Sequence, residues 1–263
     1  MILYSTLKRI SQSKGITMLL LGLDLETTGL DVKECEIIEL GAVLWDTGRK
    51  KPIAIYNDLV LPVGGISQEI VNITGITQED LNEYGIELGS ALRRFNDLND
   101  LCDYVVAHNG TNFDKPILEL AIASEDITDY IPKHWIDTSI DVDYPTKTRK
   151  LGHLASEHGF VNPFAHRAFA DVLTMLTVLS HYDINQVVDN SRQSLYEVQA
   201  VCLPPWKDPA PEGTKETDLA KARGYRWNAG EKKWTKNIRQ TDLKAEESHG
   251  EFGILVLGEV ERG

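Results

Sequence analysis

A chain of 263 residues holds one large domain, or one domain with a small appendage, and 42% apolar with 25% charged residues is a globular composition. No apolar run reaches membrane-span length, and Cys35, Cys102 and Cys202 are too few and too far apart for a zinc or disulfide framework, which points to a reducing, cytoplasmic compartment. The net charge of -13 argues against a nucleic-acid partner on its own, although acids gathered around bound cations would reverse the field locally.

Residues 1–17 carry Lys8, Arg9 and Lys14 and no acid; they read as an extension, weakly resembling a targeting segment. Met18 to Leu25 is short and apolar, as in a buried strand; residues 36–45 and 51–61 suggest two more. Ser67 and Thr77 each precede acids and open short helices, and apolar residues at 88, 91, 92, 95 and 98 have helical spacing. Tyr104 to Ala107 is a strand, Lys115 to Ala123 a helix with Pro116 in its first turn, and Trp135 to Ile140 a further strand. Residues 151–158 and 168–182 are helical. Three strands followed by alternating strands and helices predict an α/β fold with a mixed sheet.

Three clusters stand at the ends of these elements. Asp24 and Glu26 close the first strand, and a period of two puts both carboxylates on one face. Thr27, Thr28 and Gly29 follow, a turn with backbone N–H groups where a substrate's terminal sugar could approach. Asp114 ends His108-Asn109-Gly110-Thr111-Asn112-Phe113-Asp114, between strand and helix; taken alone it is an ordinary helix cap. Asp171 lies in the first turn of a helix, with His166 in the loop before it. A loop histidine is usually just solvated, but its ordinary pKa of about 6.5 suits a general base. Together, four carboxylates and an imidazole form the set that divalent cations and an activated water require.

The same clusters, with Ile73-Thr74-Gly75-Ile76-Thr77, Asp137-Thr138 and Leu151-x2-Leu154-Ala155, resemble the motifs of the DEDDh exonucleases, a group that includes DnaQ-like proofreading subunits of DNA polymerase. The resemblance covers roughly residues 18–182. It implies a ribonuclease H-like fold with a mixed five-stranded sheet and 3′-to-5′ release of nucleoside monophosphates. It also implies Mg²⁺ or Mn²⁺ held by Asp24, Glu26, Asp114 and Asp171, with His166 as the base. Thr27 and Leu30 match positions that touch the terminal nucleotide; Thr28, His108, Asn109 and Phe113 are further candidates for substrate contact.

The domain is expected over residues 18–190, with a linker over 191–213 that holds Pro204, Pro205, Pro209 and Pro211. Residues 214–263 then form a small α+β module. Residues 214–240 carry net charge +5, which leaves -18 for the rest. A helix over 219–223 and a hairpin around Ala229-Gly230 precede a strand over 252–260. Tyr225, Trp227, Trp234, Lys232 and Lys233 suit a single-strand platform; equally, the aromatics suit a mini-core. The expected activity is a 3′-to-5′ exonuclease on single-stranded DNA. RNA as substrate, or an idle module that binds nucleic acid or a polymerase, are the alternatives.

Overall fold

The computed structural model describes residues 18–146, 148–204, 206, 207, 210, 211, 213, 215–228 and 230–261. The expected extension over 1–17 lies outside them. The described residues fall into two compact units: 18–142 with 150–187, and 143–149 with 188–261. Among them, no helix is long and apolar enough to cross a membrane.

In the first unit, β1 (Leu19–Thr27), β2 (Ile37–Asp46), β3 (Lys51–Leu59), β4 (Tyr104–Ala107) and β5 (His134–Asp137) form one sheet in the order β3-β2-β1-β4-β5. The β1–β2 and β2–β3 pairs are antiparallel, while β4 is parallel to both β1 and β5. This is the mixed five-stranded sheet of a ribonuclease H-like fold. Helices α1 (Gln68–Thr74) and α2 (Gln78–Tyr84) start where capping predicts: the Ile70 N–H donates to Ser67, and Thr77 and Asp80 form a reciprocal capping box. Helix α3 (Leu88–Asn99) follows, then α4 (Asp114–Ser124). The strand expected over 135–140 stops at Asp137, because the Asp137 carboxylate accepts from the Ser139 N–H and opens a single helical turn, α5 (Thr138–Asp141). Helices α6 (Leu151–Glu157) and α7 (Ala168–Leu179) complete the unit.

The strand period decides what each face of the sheet meets. Leu19, Leu21, Leu23 and Leu25 of β1 join Leu92 and Phe95 of α3 and Leu118 of α4 in one buried core. The alternate residues face α7. A Cβ on Gly22 would lie 2.6 Å from Val172 Cγ1, and one on Gly41 would lie 2.5 Å from the Phe169 nitrogen. These two glycines cut a groove that lets the start of α7 rest almost on the sheet backbone. Asp24 and Glu26 share that face.

Helix α8 (Ile184–Ser191) contains the boundary between the units. Strand β6 (Leu195–Val201) then pairs with β8 (Lys233–Arg239) and β9 (Gly253–Val260), and β7 (Arg226–Asn228) pairs with β8. The range expected as a linker therefore contains an inner strand of a sheet ordered β7-β8-β6-β9. Its alternation was masked by the prolines just downstream, and its partners lie more than 30 residues on in sequence. Helix α9 (Glu216–Ala222) and the short α10 (Leu243–Glu247) cover this sheet. Val198, Ala200, Ala220, Tyr225, Trp234 and Phe252 form its core.

Tyr225 and Trp234 are only 2% and 3% exposed, so neither ring is open to stack on a base, and that expectation is corrected. Of the aromatics proposed as contacts, Trp227 alone keeps part of its surface, with the exposed Trp206 edge-on to it at 5.3 Å. The positive charge is also partly spent inside the module. Glu246 accepts from Arg223 at 3.1 Å through each oxygen and from the Tyr225 hydroxyl at 3.1 Å, and Lys236 lies 2.8 Å away. Burial would raise the Glu246 pKa, but Arg223 and Lys236 outweigh it and hold the group at about 2, below the ordinary value of 4.5.

A depressed carboxylate stabilises above its unfolded pKa and loses that contribution as pH falls through its folded one. The module should therefore weaken between about pH 4.5 and pH 2. Glu246→Gln should remove this acid limb and destabilise the module, since it withdraws the negative charge that faces Arg223 and Lys236. Acid and urea titrations of tryptophan emission in the full chain check both; curves that match the wild type at every pH would contradict them.

Candidate active site

The five motif residues converge from three elements and one loop. Asp24 and Glu26 project from the end of β1, each half-exposed in an otherwise buried strand. Asp114 is the first residue of α4 and is buried. Its Oδ1 accepts from the Leu25 N–H at 3.0 Å, which pins the start of α4 to the strand between the two acids. Asp171, in the first turn of α7, accepts from the His166 N–H at 2.8 Å and from Asn162 Nδ2 at 2.7 Å. His166 is exposed and holds a left-handed backbone, φ 62°. Ligand atoms of Glu26, His166 and Asp171 all lie within 4.8 Å of one another.

Electrostatics describe a site built for positive charge. Burial is the largest cause pushing each acid upward. Next come the neighbours: Asp114, Glu26 and Asp171 raise Asp24 well above the ordinary carboxylate value, and Asp171 and Glu39 help to bring Glu26 to about 8. Asp114 rises to about 7 against the opposing hydrogen bond from Leu25. Carboxylates so placed need protons or cations between them. Oxygen ligands on hard, buried acids suit divalent ions of the magnesium and manganese type, and one imidazole does not change that preference.

The remaining candidates fall around this centre. Thr27 is buried and donates through Oγ1 to the Gly29 carbonyl at 2.6 Å, closing the turn after β1. Thr28 Oγ1 accepts from the Glu36 N–H at 2.9 Å, and Leu30 stands 88% exposed beyond it. His108 lies 2.8 Å from the Thr138 hydroxyl. Asn109 is left-handed at φ 65°, and Phe113 packs partly buried against the core. The turn that carries them is held by Asp137, which accepts from the Asn109 and Thr111 N–H groups at 2.8 and 3.0 Å.

Two participants escape the motifs. Asn162 anchors Asp171 from a loop with no regular pattern. Glu39 carried a signal: an acid inside the apolar run Ile37-Ile38-Glu39-Leu40 must find a partner if that strand is buried. Its partner proves to be Arg167, at 2.7 Å.

The profile of the RNase_T exonuclease family matches residues 21–179. The DNA polymerase III subunit epsilon of Treponema pallidum is 30% identical over 169 residues, covering 60% of this chain and 75% of that protein. The PolC-type DNA polymerase III of Ureaplasma parvum is 29% identical over 182 residues, 66% of this chain but 12% of the far longer polymerase. Exonuclease I of E. coli, solved with a dA16 oligonucleotide, superposes with a TM-score of 0.54 at 15% identity over 72% of this chain and 52% of that one, a likeness of fold. The convergent acids, the sheet that carries them and the family match agree: the chain belongs to the RNase_T exonucleases, as a metal-dependent 3′-to-5′ exonuclease of the DEDDh type.

Proposed function

We propose that this site removes nucleotides from the 3′ end of single-stranded DNA, releasing nucleoside 5′-monophosphates. Asp24, Glu26, Asp114 and Asp171 would hold two divalent cations, Mg²⁺ or Mn²⁺. The observation that carries the reading is the meeting of four buried or half-buried acids with an exposed imidazole within 4.8 Å of Glu26 and Asp171. Bound there, the cations would orient the attacking water and stabilise the leaving 3′ oxygen.

The chain's own groups do the rest. The His166 imidazole takes the proton of the attacking water, and its backbone N–H keeps Asp171 aimed. The closed turn at Thr27 and Thr28 and the exposed Leu30 receive the terminal nucleoside, with His108, Asn109 and Phe113 on the neighbouring turn. DNA is preferred over RNA because the relatives are DNA polymerase III proteins, and they also support a polymerase as partner. In the second unit, Trp227 with Trp206, Lys232 and Lys233 remain the candidates for holding a longer strand.

Incubating matched 5′-labelled DNA and RNA strands, short and long, with Mg²⁺, Mn²⁺ or EDTA tests this. The expected result is a ladder shortening from the 3′ end of DNA, absent in EDTA. Cutting that survives EDTA, or internal cuts, would overturn the exonuclease reading; equal or faster loss of RNA would overturn the choice of DNA. Trp227→Ala should weaken binding of long strands while short ones are cut as before.

A further inference from the structure

Glu39 lies directly across from Glu26 in the β1–β2 register, and its side chain is fully buried, at 0% exposure. Such a carboxylate needs several donors, and it has them. Arg167 grips it with Nη2 2.7 Å from Oε1 and with Nε 3.1 and 3.2 Å from the two oxygens. The Ala168 N–H donates to Oε2 at 2.9 Å, and Asn57 Nδ2 donates to Oε1 at 2.9 Å.

The position of this grip in the chain is what matters. Arg167 follows His166 and precedes α7, and it offers no side-chain cap of its own. Glu39 supplies the cap from another strand, placing a negative charge against the first amide of the helix, that of the buried Ala168. The Arg167 carbonyl in turn accepts from the Asp171 N–H at 3.0 Å. One carboxylate on β2 therefore fixes the two residues that follow the proton acceptor, one turn before the last acid.

We propose that the Glu39–Arg167 pair is a positioning device for the reaction, setting His166 and Asp171 against Glu26. This rests on the exonuclease reading of the site. A bidentate guanidinium–carboxylate pair fixes orientation as well as distance, which a single contact does not. Stability alone gives little reason for it, since well-packed apolar residues in place of a buried pair are often as stable or more so.

The test compares wild type with Arg167→Lys, Glu39→Gln and the double variant, using a short 5′-labelled strand and Mn²⁺. Arg167→Lys decides it: the side chain is 35% exposed, and a lysine keeps the charge beside Glu39, so the fold survives. It should lower kcat about 10- to 100-fold, the usual effect of losing an outer partner at a metal site. KM should stay within about twofold, and the melting curve should stay cooperative. Glu39→Gln should behave alike, and the double variant should be no worse than the worse single, because the two residues act as one unit. A wild-type kcat in folded Arg167→Lys, a loss confined to KM, or losses that multiply in the double variant would each overturn the proposal. An inactive wild type would instead bring down the exonuclease reading beneath it.

Discussion

Asp24→Asn is expected to abolish nucleotide release while making the metal-free protein more stable. The two effects share a cause. Asp24 lies half-buried beside Asp114, Glu26 and Asp171, and after burial itself all three push its proton affinity up. An amide of the same shape removes one negative charge from that group, so repulsion falls when no cation is present. In the proposed metal-binding role it also removes a ligand, and turnover should fall by more than the 10- to 100-fold typical of losing an outer partner.

The sign of the pH effect follows from the same shifts. An acid whose folded pKa is raised favours the folded state while protonated, and that advantage is lost as pH rises through the folded value. The metal-free wild type should therefore lose stability as pH rises from about 4.5 through about 8, the ordinary and folded values of Glu26. Asp24→Asn should show a shallower loss. Thermal melts in EDTA across this range, repeated with Mn²⁺, measure it: Mn²⁺ should raise the wild-type midpoint strongly and the variant's much less. A variant that melts below the wild type at pH 8 in EDTA, or that keeps a tenth of its activity, would remove Asp24 from the metal centre.

Replacing His166 should have the next largest effect. A positioned base contributes about 10²- to 10⁴-fold, and His166→Asn should lose that much in single-turnover rate. Asparagine is preferable to alanine here, because the residue sits at φ 62° and asparagine tolerates the left-handed region. The hydrogen bond from residue 166 to Asp171 is made by the backbone and persists in the variant. The rise in melting temperature on adding Mn²⁺ should therefore stay near the wild-type value. If that rise disappears, the imidazole is a metal ligand, which its place beside Glu26 and Asp171 permits. An unchanged rate would make it a loop residue.

What the chain declares locally was legible. The face shared by Asp24 and Glu26 follows from strand parity, and the half-exposure of both in a buried strand agrees with it. Ser67 and Thr77 announced their helices because a cap acts within one turn. The order of the acids, and the histidine five residues before the last of them, carried the chemistry because each sits at the junction of two elements readable by themselves.

Other features depended on residues remote in sequence. Glu39 and Arg167 are 128 positions apart, and only strand pairing and the Gly22 and Gly41 groove bring them together. Strand β6 looked like part of a proline-rich tether until β8 and β9 flanked it. Composition made Tyr225 and Trp234 equally suited to a base or to a core, and packing put both inside. Sequence by itself determined what is encoded within a few residues: periodicity, caps and the types of reacting groups. Tertiary structure decided which distant groups share a buried volume, because burial, and the need of each buried charge for a partner, exist only once the chain has closed on itself.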